Sequence, residues 1–235
     1  METVTPDTVI ITEGAKQSIT GTAVDKAGNS ASFTVKNINI DKTQSVITVS
    51  IPQDGAEYSL NEKVTAEWTT NDSLSGIESA TGTAASGTLI DTATVGEKDF
   101  TVEAKDRAGN KTIKTVKYYV RYNYGGVLPP LKQDGSSMVK GGTVPVKFQL
   151  TDAMGKYVSK ATARLYLAKI TNGVPGSEIE ATSPGSANSG NLFRYDSTDN
   201  QYIYNLRAKD LSAGTWQIRI SLDDGTSRYV AISIK

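Results

Sequence analysis

The chain has 235 residues, with 25 Lys and Arg against 25 Asp and Glu, and it contains neither His nor Cys. Without those two residue types, Ser-His-Asp, Cys-His and His-ligated zinc chemistry are excluded, and no disulfide can staple the fold. Zero net charge and the lack of any basic run of about 5–8 residues exclude the footprint of a nucleic-acid binder, and no stretch approaches the ~18 apolar residues of a membrane span.

Met1-Glu2-Thr3-Val4-Thr5-Pro6 has no apolar signal-peptide core and reads as an added start. The chain is therefore expected to be a fragment of a larger protein. Thr20-Gly21-Thr22-Ala23-Val24-Asp25-Lys26-Ala27-Gly28-Asn29 matches Thr101-Val102-Glu103-Ala104-Lys105-Asp106-Arg107-Ala108-Gly109-Asn110, 81 residues later. In both copies an alternating run enters Asp-x-Ala-Gly-Asn and another leaves it, which predicts a hairpin. Gly and Asn tolerate positive φ, and the Asp side chain closes the turn.

The second copy is preceded by strand-like segments, Val46-Ile47-Thr48-Val49 and Val64-Thr65-Ala66-Glu67-Trp68, and by an Asn71–Ile77 loop; the first copy lacks them. Residues 1–40 therefore read as the C-terminal strands of a truncated domain that cannot close its own core. Partial disorder, or pairing with another chain through the open strand edge, is expected there. Asp41–Gln44 reads as a linker, residues 44–122 as a complete sandwich, and Tyr122–Pro130 as a Gly/Pro-rich junction.

Residues 123–235 carry further alternating runs, among them Val144–Leu150, Ala163–Leu167, Gln201–Leu206, Trp216–Ile220 and Tyr229–Ile234. Asp223-Asp224-Gly225 makes a turn between the last two, and residues 171–191 read as a mobile loop. No window has a helical period. The fold class is all-β, tandem immunoglobulin-like or fibronectin-like sandwiches.

The Ala104–Asn110 hairpin and the Asp72–Ile77 loop resemble tandem bacterial immunoglobulin-like repeats. Pro145-Val146-Lys147-Phe148, with Lys140–Val144 before it and Leu222–Thr226 near the end, resembles the C-terminal module named for its Pro-x-Lys-Phe motif. The resemblance implies a secreted or cell-surface accessory region, often attached to a polysaccharide-active enzyme, with no catalytic activity. On that reading the chain is a structural spacer, with a carbohydrate-binding or adhesive module as the alternative and a polysaccharide or the cell surface as partner.

The candidate site residues follow from side-chain chemistry. Asp41, Asp72 and Asp106 fall in segments that an immunoglobulin-like topology gathers at one pole, where three carboxylates and backbone carbonyls would approach calcium's six to eight oxygens. Against this, each Asp closes a turn with its own backbone. No other cofactor is expected.

Among the aromatics, Tyr202, Tyr204, Trp68 and Trp216 read as core. Val116, Tyr118 and Val120 face inward, which leaves Tyr119, with Tyr122 and Tyr124, as ligand candidates or as packing for the domain joint. Asp223 and Asp224 read as solvated and divergent, unlike the converging pair that glycoside hydrolysis needs. Lys147 reads as an exposed lysine rather than an isopeptide partner.

Overall fold

The computed structural model describes residues 2–235. Among these residues nineteen strands and one short 3-10 turn, Ala208–Asp210, make an all-β protein of immunoglobulin-like and fibronectin-like sandwich type.

Strands β1 (Thr3–Val4), β2 (Gly14–Val24) and β3 (Ser30–Ile40) form one antiparallel sheet. The next six are β4 (Val46–Ile51), β5 (Ala56–Ser59), β6 (Glu67–Asn71), β7 (Ile77–Gly82), β8 (Gly96–Asp106) and β9 (Lys111–Arg121). Strand β4 pairs with β6, β7 with β8, and β5 runs parallel to the end of β9. The remaining strands are β10 (Asn123–Leu128), β11 (Ser137–Val139), β12 (Thr143–Thr151), β13 (Ala163–Thr171), β14 (Val174–Pro175), β15 (Ile179–Glu180), β16 (Arg194–Asp196), β17 (Gln201–Arg207), β18 (Gly214–Leu222) and β19 (Ser227–Ile234).

These elements divide into two compact units. The first comprises the chain up to Gln53 with Thr65–Thr88 and Phe100–Val116; the second comprises Asp54–Val64, Leu89–Asp99 and Lys117–Lys235.

In the first unit, Ile47, Ala66, Phe100, Val102, Ala104 and Val116 are buried. The internal repeat extends to single hydrogen bonds. Thr20 meets Thr34 across β2–β3 at 2.8 Å, and Thr101 meets Thr115 across β8–β9 at 2.9 Å, each 81 residues on. Between residues 2 and 44, however, no side chain is buried.

The second unit contains a β-sandwich. One sheet has the order β10-β12-β17-β16; the other has the order β11-β19-β18-β13-β14, with β15 also on β13. Period-two alternation sends Val146, Phe148, Leu150, Tyr202, Tyr204 and Leu206 inward from one sheet, to meet Leu165, Leu167, Ile218, Ile220 and Ile232 from the other. Most of the Tyr122–Pro130 junction is strand: β10 pairs with β12 through a bulge between Tyr124 and Val127 that takes up the two glycines, and Pro129-Pro130 turn the chain after it.

The 171–191 segment is tied down rather than loose. Asn188 donates to the carbonyls of Leu192 and Ile203 and accepts from Asn205, while the Tyr204 hydroxyl reaches the carbonyls of Ala181 and Gly190. Buried backbone groups need partners, and polar side chains in this segment supply them.

The same five-residue turn recurs in both units. Asp25, Asp106 and Asp152 each donate their N–H to the carbonyl four residues on and accept that residue's N–H on Oδ1. The glycine in fourth place, Gly28, Gly109 or Gly155, has φ of 85°, 97° or 78°, a conformation that strains any residue with a Cβ.

Burial raises the pKa of the Tyr124, Tyr202 and Tyr204 hydroxyls to about 12. In the unfolded chain they titrate near the ordinary value of about 10. Between those values the unfolded state has released protons that the folded state keeps, so stability falls as pH rises from 10 towards 12. Urea midpoints measured at pH 9 and pH 11.5 are expected to differ in that sense, and equal midpoints would contradict the burial of these phenols.

Candidate functional site: a three-carboxylate pole in the first unit

The pole is built from three segments: the chain after β3, the loop between β6 and β7, and the β8–β9 turn. Asp72 closes its loop by accepting the N–H groups of Leu74, Ser75 and Gly76 at 3.1, 2.9 and 2.8 Å on one oxygen. Asp41 accepts Thr43 N–H at 3.0 Å and, on its other oxygen, Ser75 N–H at 3.0 Å, which ties the first two segments together. Arg107 N–H donates to the Gly76 carbonyl at 3.0 Å and joins the third.

The three carboxylates offer oxygens that all lie within 4.8 Å of one another. Asp41 and Asp72 are half-buried and Asp106 is fully buried. Burial works against the charge of Asp106. Bonds from the Asn110 side chain and N–H, and from the N–H groups of Gly109 and Ala108, outweigh it and hold the carboxyl below the usual range. Asn110 Nδ2 also reaches the carbonyls of Asp41 and Thr43, at 3.3 and 3.2 Å. No ion pair involving any of the three is formed among the described residues.

The structure therefore gathers Asp41, Asp72 and Asp106, as their places in the sequence predict, and each also closes a turn with nearby backbone. Beside them lies a hollow of about 400 Å³ lined by residues that include Gly14, Ile40, Leu74, Ser75 and Arg107. Chemically the group is an all-oxygen set suited to a hard divalent cation.

The tyrosine candidates are arranged differently. Tyr122 is buried in the core of the second unit, so its ring shows no face to a ligand. Tyr124 packs on Phe148 at 5.7 Å and lies under the Arg228 guanidinium at 5.4 Å. Tyr119 is covered by Arg121 at 4.6 Å. The sandwich draws Tyr124 in because β10 is a strand of its sheet rather than a linker.

Three other sequence expectations change. Trp68 is half-buried rather than a core plug, with its indole N–H on the Ala84 carbonyl at 3.0 Å. Lys147 is half-buried on the outward face of β12. Asp224 is fully buried rather than solvated, because its carboxylate accepts Tyr122 N–H at 3.0 Å and Thr226 N–H at 2.8 Å.

One surface feature went unread in the sequence. Tyr166, Arg219 and Tyr229 stand in register across β13, β18 and β19. Arg219 lies 4.2 Å over the Tyr166 ring and is clasped by both oxygens of Glu178 at 2.7 Å, while Tyr229 is 51% exposed. Alternation with Leu165, Ile218 and Val230 was the available signal.

No family model matches the chain. No curated protein matches it either. Solved structures similar in fold include the fibronectin(III)-like modules of Clostridium thermocellum CbhA, with TM-score 0.27 and 14% identity over 81% of this chain and 94% of that one. The titin domains Z1Z2 in complex with telethonin match with TM-score 0.25 and 11% identity, covering 83% and 97% of the two chains. Bacteroides ovatus SGBP-B in complex with a mixed-linkage heptasaccharide matches with TM-score 0.26 and 13% identity, covering 94% and 53%. Likeness at this level carries no argument about function. Among the described residues no helix is long and apolar enough to cross a membrane.

Proposed function

We propose that the chain is a non-catalytic spacer from a secreted or cell-surface multidomain protein. It would consist of the end of one bacterial immunoglobulin-like repeat (1–40), a complete repeat (44–122) and a Pro-x-Lys-Phe module (123–235). One observation supports this reading above others: the three tyrosines that the sequence offers as ligand candidates are spent on packing. Tyr122 is in the core, Tyr124 lies between Phe148 and Arg228, and Tyr119 lies under Arg121. Affinity electrophoresis of the whole chain against soluble polysaccharides, with pull-down on insoluble ones, tests it, and no retention is expected. Retention abolished by Tyr229→Ala would replace the spacer with a carbohydrate-binding module.

The buried Asp106 beside two further carboxylates favours a second reading at the first unit's pole, calcium as a structural ion. A ligand that binds only the folded state raises its stability, and each kcal/mol so gained raises the melting temperature of a chain this size by about 2–4 °C. Melting in 5 mM calcium is then expected to lie above melting in chelator, with the difference removed by Asp72→Asn. Identical melting curves would leave the three carboxylates as turn closures alone.

A further inference from the structure

We infer that the apolar face of the β2–β3 hairpin docks on the same face of a second copy of this chain, with Phe33 of each copy seated over Gly21 of the other. The register places Ile19 opposite Val35, Gly21 opposite Phe33 and Ala23 opposite Ala31, so these six residues share one face. The other face carries Thr20, Thr22, Ser32 and Thr34, joined across the strands at 2.8 Å in both pairs. One side of the hairpin is thus entirely apolar and the other hydroxylated.

In the second repeat the β2 side of this face is core, whereas Thr112 and Lys114, in the places of Ala31 and Phe33, are half-buried and exposed. Eighty-one residues on, Phe100, Val102 and Ala104 take the places of Ile19, Gly21 and Ala23, and all three are completely buried; Val116, in the place of Val35, is 7% exposed. In the first hairpin Phe33 is 77% exposed and Val35 47%, so nothing among the described residues covers the face.

The relief of the face selects the occupant. Phe33 projects from β3, and its register partner on β2 has no side chain. A Cβ at Gly21 would meet nothing within 4 Å, and a hollow of about 270 Å³ lies over this spot, floored by Ile19, Gly21, Phe33 and Val35 and edged by Thr5–Thr8. Knob and socket therefore lie side by side in one row.

A two-fold axis between two facing sheets, parallel to the strands and midway between β2 and β3, sets β3 of each copy over β2 of the other. It then places Phe33 over Gly21 and Val35 over Ile19, each contact occurring twice. That reciprocity defines an isologous interface, and aligned sheets pack in this way about 10 Å apart. A face two strands wide falls short of the about 800 Å² per partner of a standard interface, so the association is weak and concentration-dependent.

The test is sedimentation equilibrium of the 235-residue chain from about 5 to about 500 μM, a range suited to a small interface. A monomer–dimer equilibrium is expected. Phe33→Ala removes the knob and Gly21→Phe fills the socket, and each should weaken the dimer about tenfold or more. Both positions are exposed and Gly21 does not have positive φ, so circular dichroism is expected to show the fold intact in each variant. The double variant G21F/F33A moves the knob to β2 and the socket to β3, and it is expected to recover association. A monomer at every concentration overturns the inference. A dimer indifferent to both single changes, or a double variant that fails to recover, overturns it equally.

Discussion

Phe148→Ala is expected to destabilise the second unit by about 3–5 kcal/mol, the cost of truncating a buried Phe in a core that cannot collapse around the gap. The ring is fully buried where the sheets meet. It stacks on Tyr202 at 5.1 Å with the planes 12° apart, meets Phe193 edge-on at 5.0 Å and lies 5.7 Å from Tyr124. Each aromatic pair adds about 0.5–1.5 kcal/mol beyond the area it buries, so one deletion loosens three partner rings on three other segments. The next residue gives the contrast. Gln149 faces outward and donates to the Asp199 carbonyl at 3.0 Å, so Gln149→Ala should cost about 1 kcal/mol. The two tryptophans fall one in each unit, Trp68 in the first and Trp216 in the second. Urea unfolding followed by Trp216 fluorescence in a Trp68→Phe background therefore reports the second unit alone. Equal midpoint shifts for the two variants would mean that the Phe of the Pro-x-Lys-Phe motif does not anchor the core.

The repeat and the hairpins were legible because they depend on local chemistry. Asp-x-Ala-Gly-Asn needs only an Asp that caps its own turn and a Gly with positive φ. The same logic applies to Asp152-Ala153-Met154-Gly155-Lys156, but a reading keyed to the full Ala-Gly-Asn string passes over it. The gathering of Asp41, Asp72 and Asp106 was also legible, because which loops share a pole follows from strand order. Side-chain exposure beside a bulge was not. Alternation assigns a face only while the register holds, and it breaks at Tyr124–Val127, so a Gly/Pro-rich stretch that reads as a linker is mostly a sheet strand with Tyr124 drawn inward. The 171–191 segment misled for a related reason. Its Gly, Ser and Pro content reads as slack, yet one asparagine, Asn188, makes three bonds to backbone, two of them to β17.

Asp223 and Asp224 are adjacent in sequence but are expected to differ several-fold in what their loss costs. Asp223 is exposed; its carboxylate accepts Thr162 N–H at 2.9 Å and faces the Tyr122 hydroxyl. Asp224 is fully buried, and its carboxylate accepts the buried Tyr122 N–H, the Thr226 N–H and, at 2.6 Å, the Thr226 hydroxyl; the Arg121 guanidinium donates to its carbonyl. Removing the carboxylate leaves the Tyr122 N–H without an acceptor in a place water does not reach. An orphaned buried donor costs about 1–3 kcal/mol, and bonds to a charged acceptor are worth about 1.5–3 kcal/mol. Asp224→Ala is therefore expected to cost about 3 kcal/mol, and Asp223→Ala about 1 kcal/mol or less. Asp224→Asn should fall between them, because its amide oxygen keeps one acceptor while its NH₂ group gains no partner. Urea midpoints rank the three variants, and hydrogen exchange at the Tyr122 amide locates the loss. That amide should open well before its neighbours in β10 when residue 224 is Ala. If it stays protected while the midpoint falls, the cost lies in the turn around Gly225 and not in the bond that ties this turn to Tyr122.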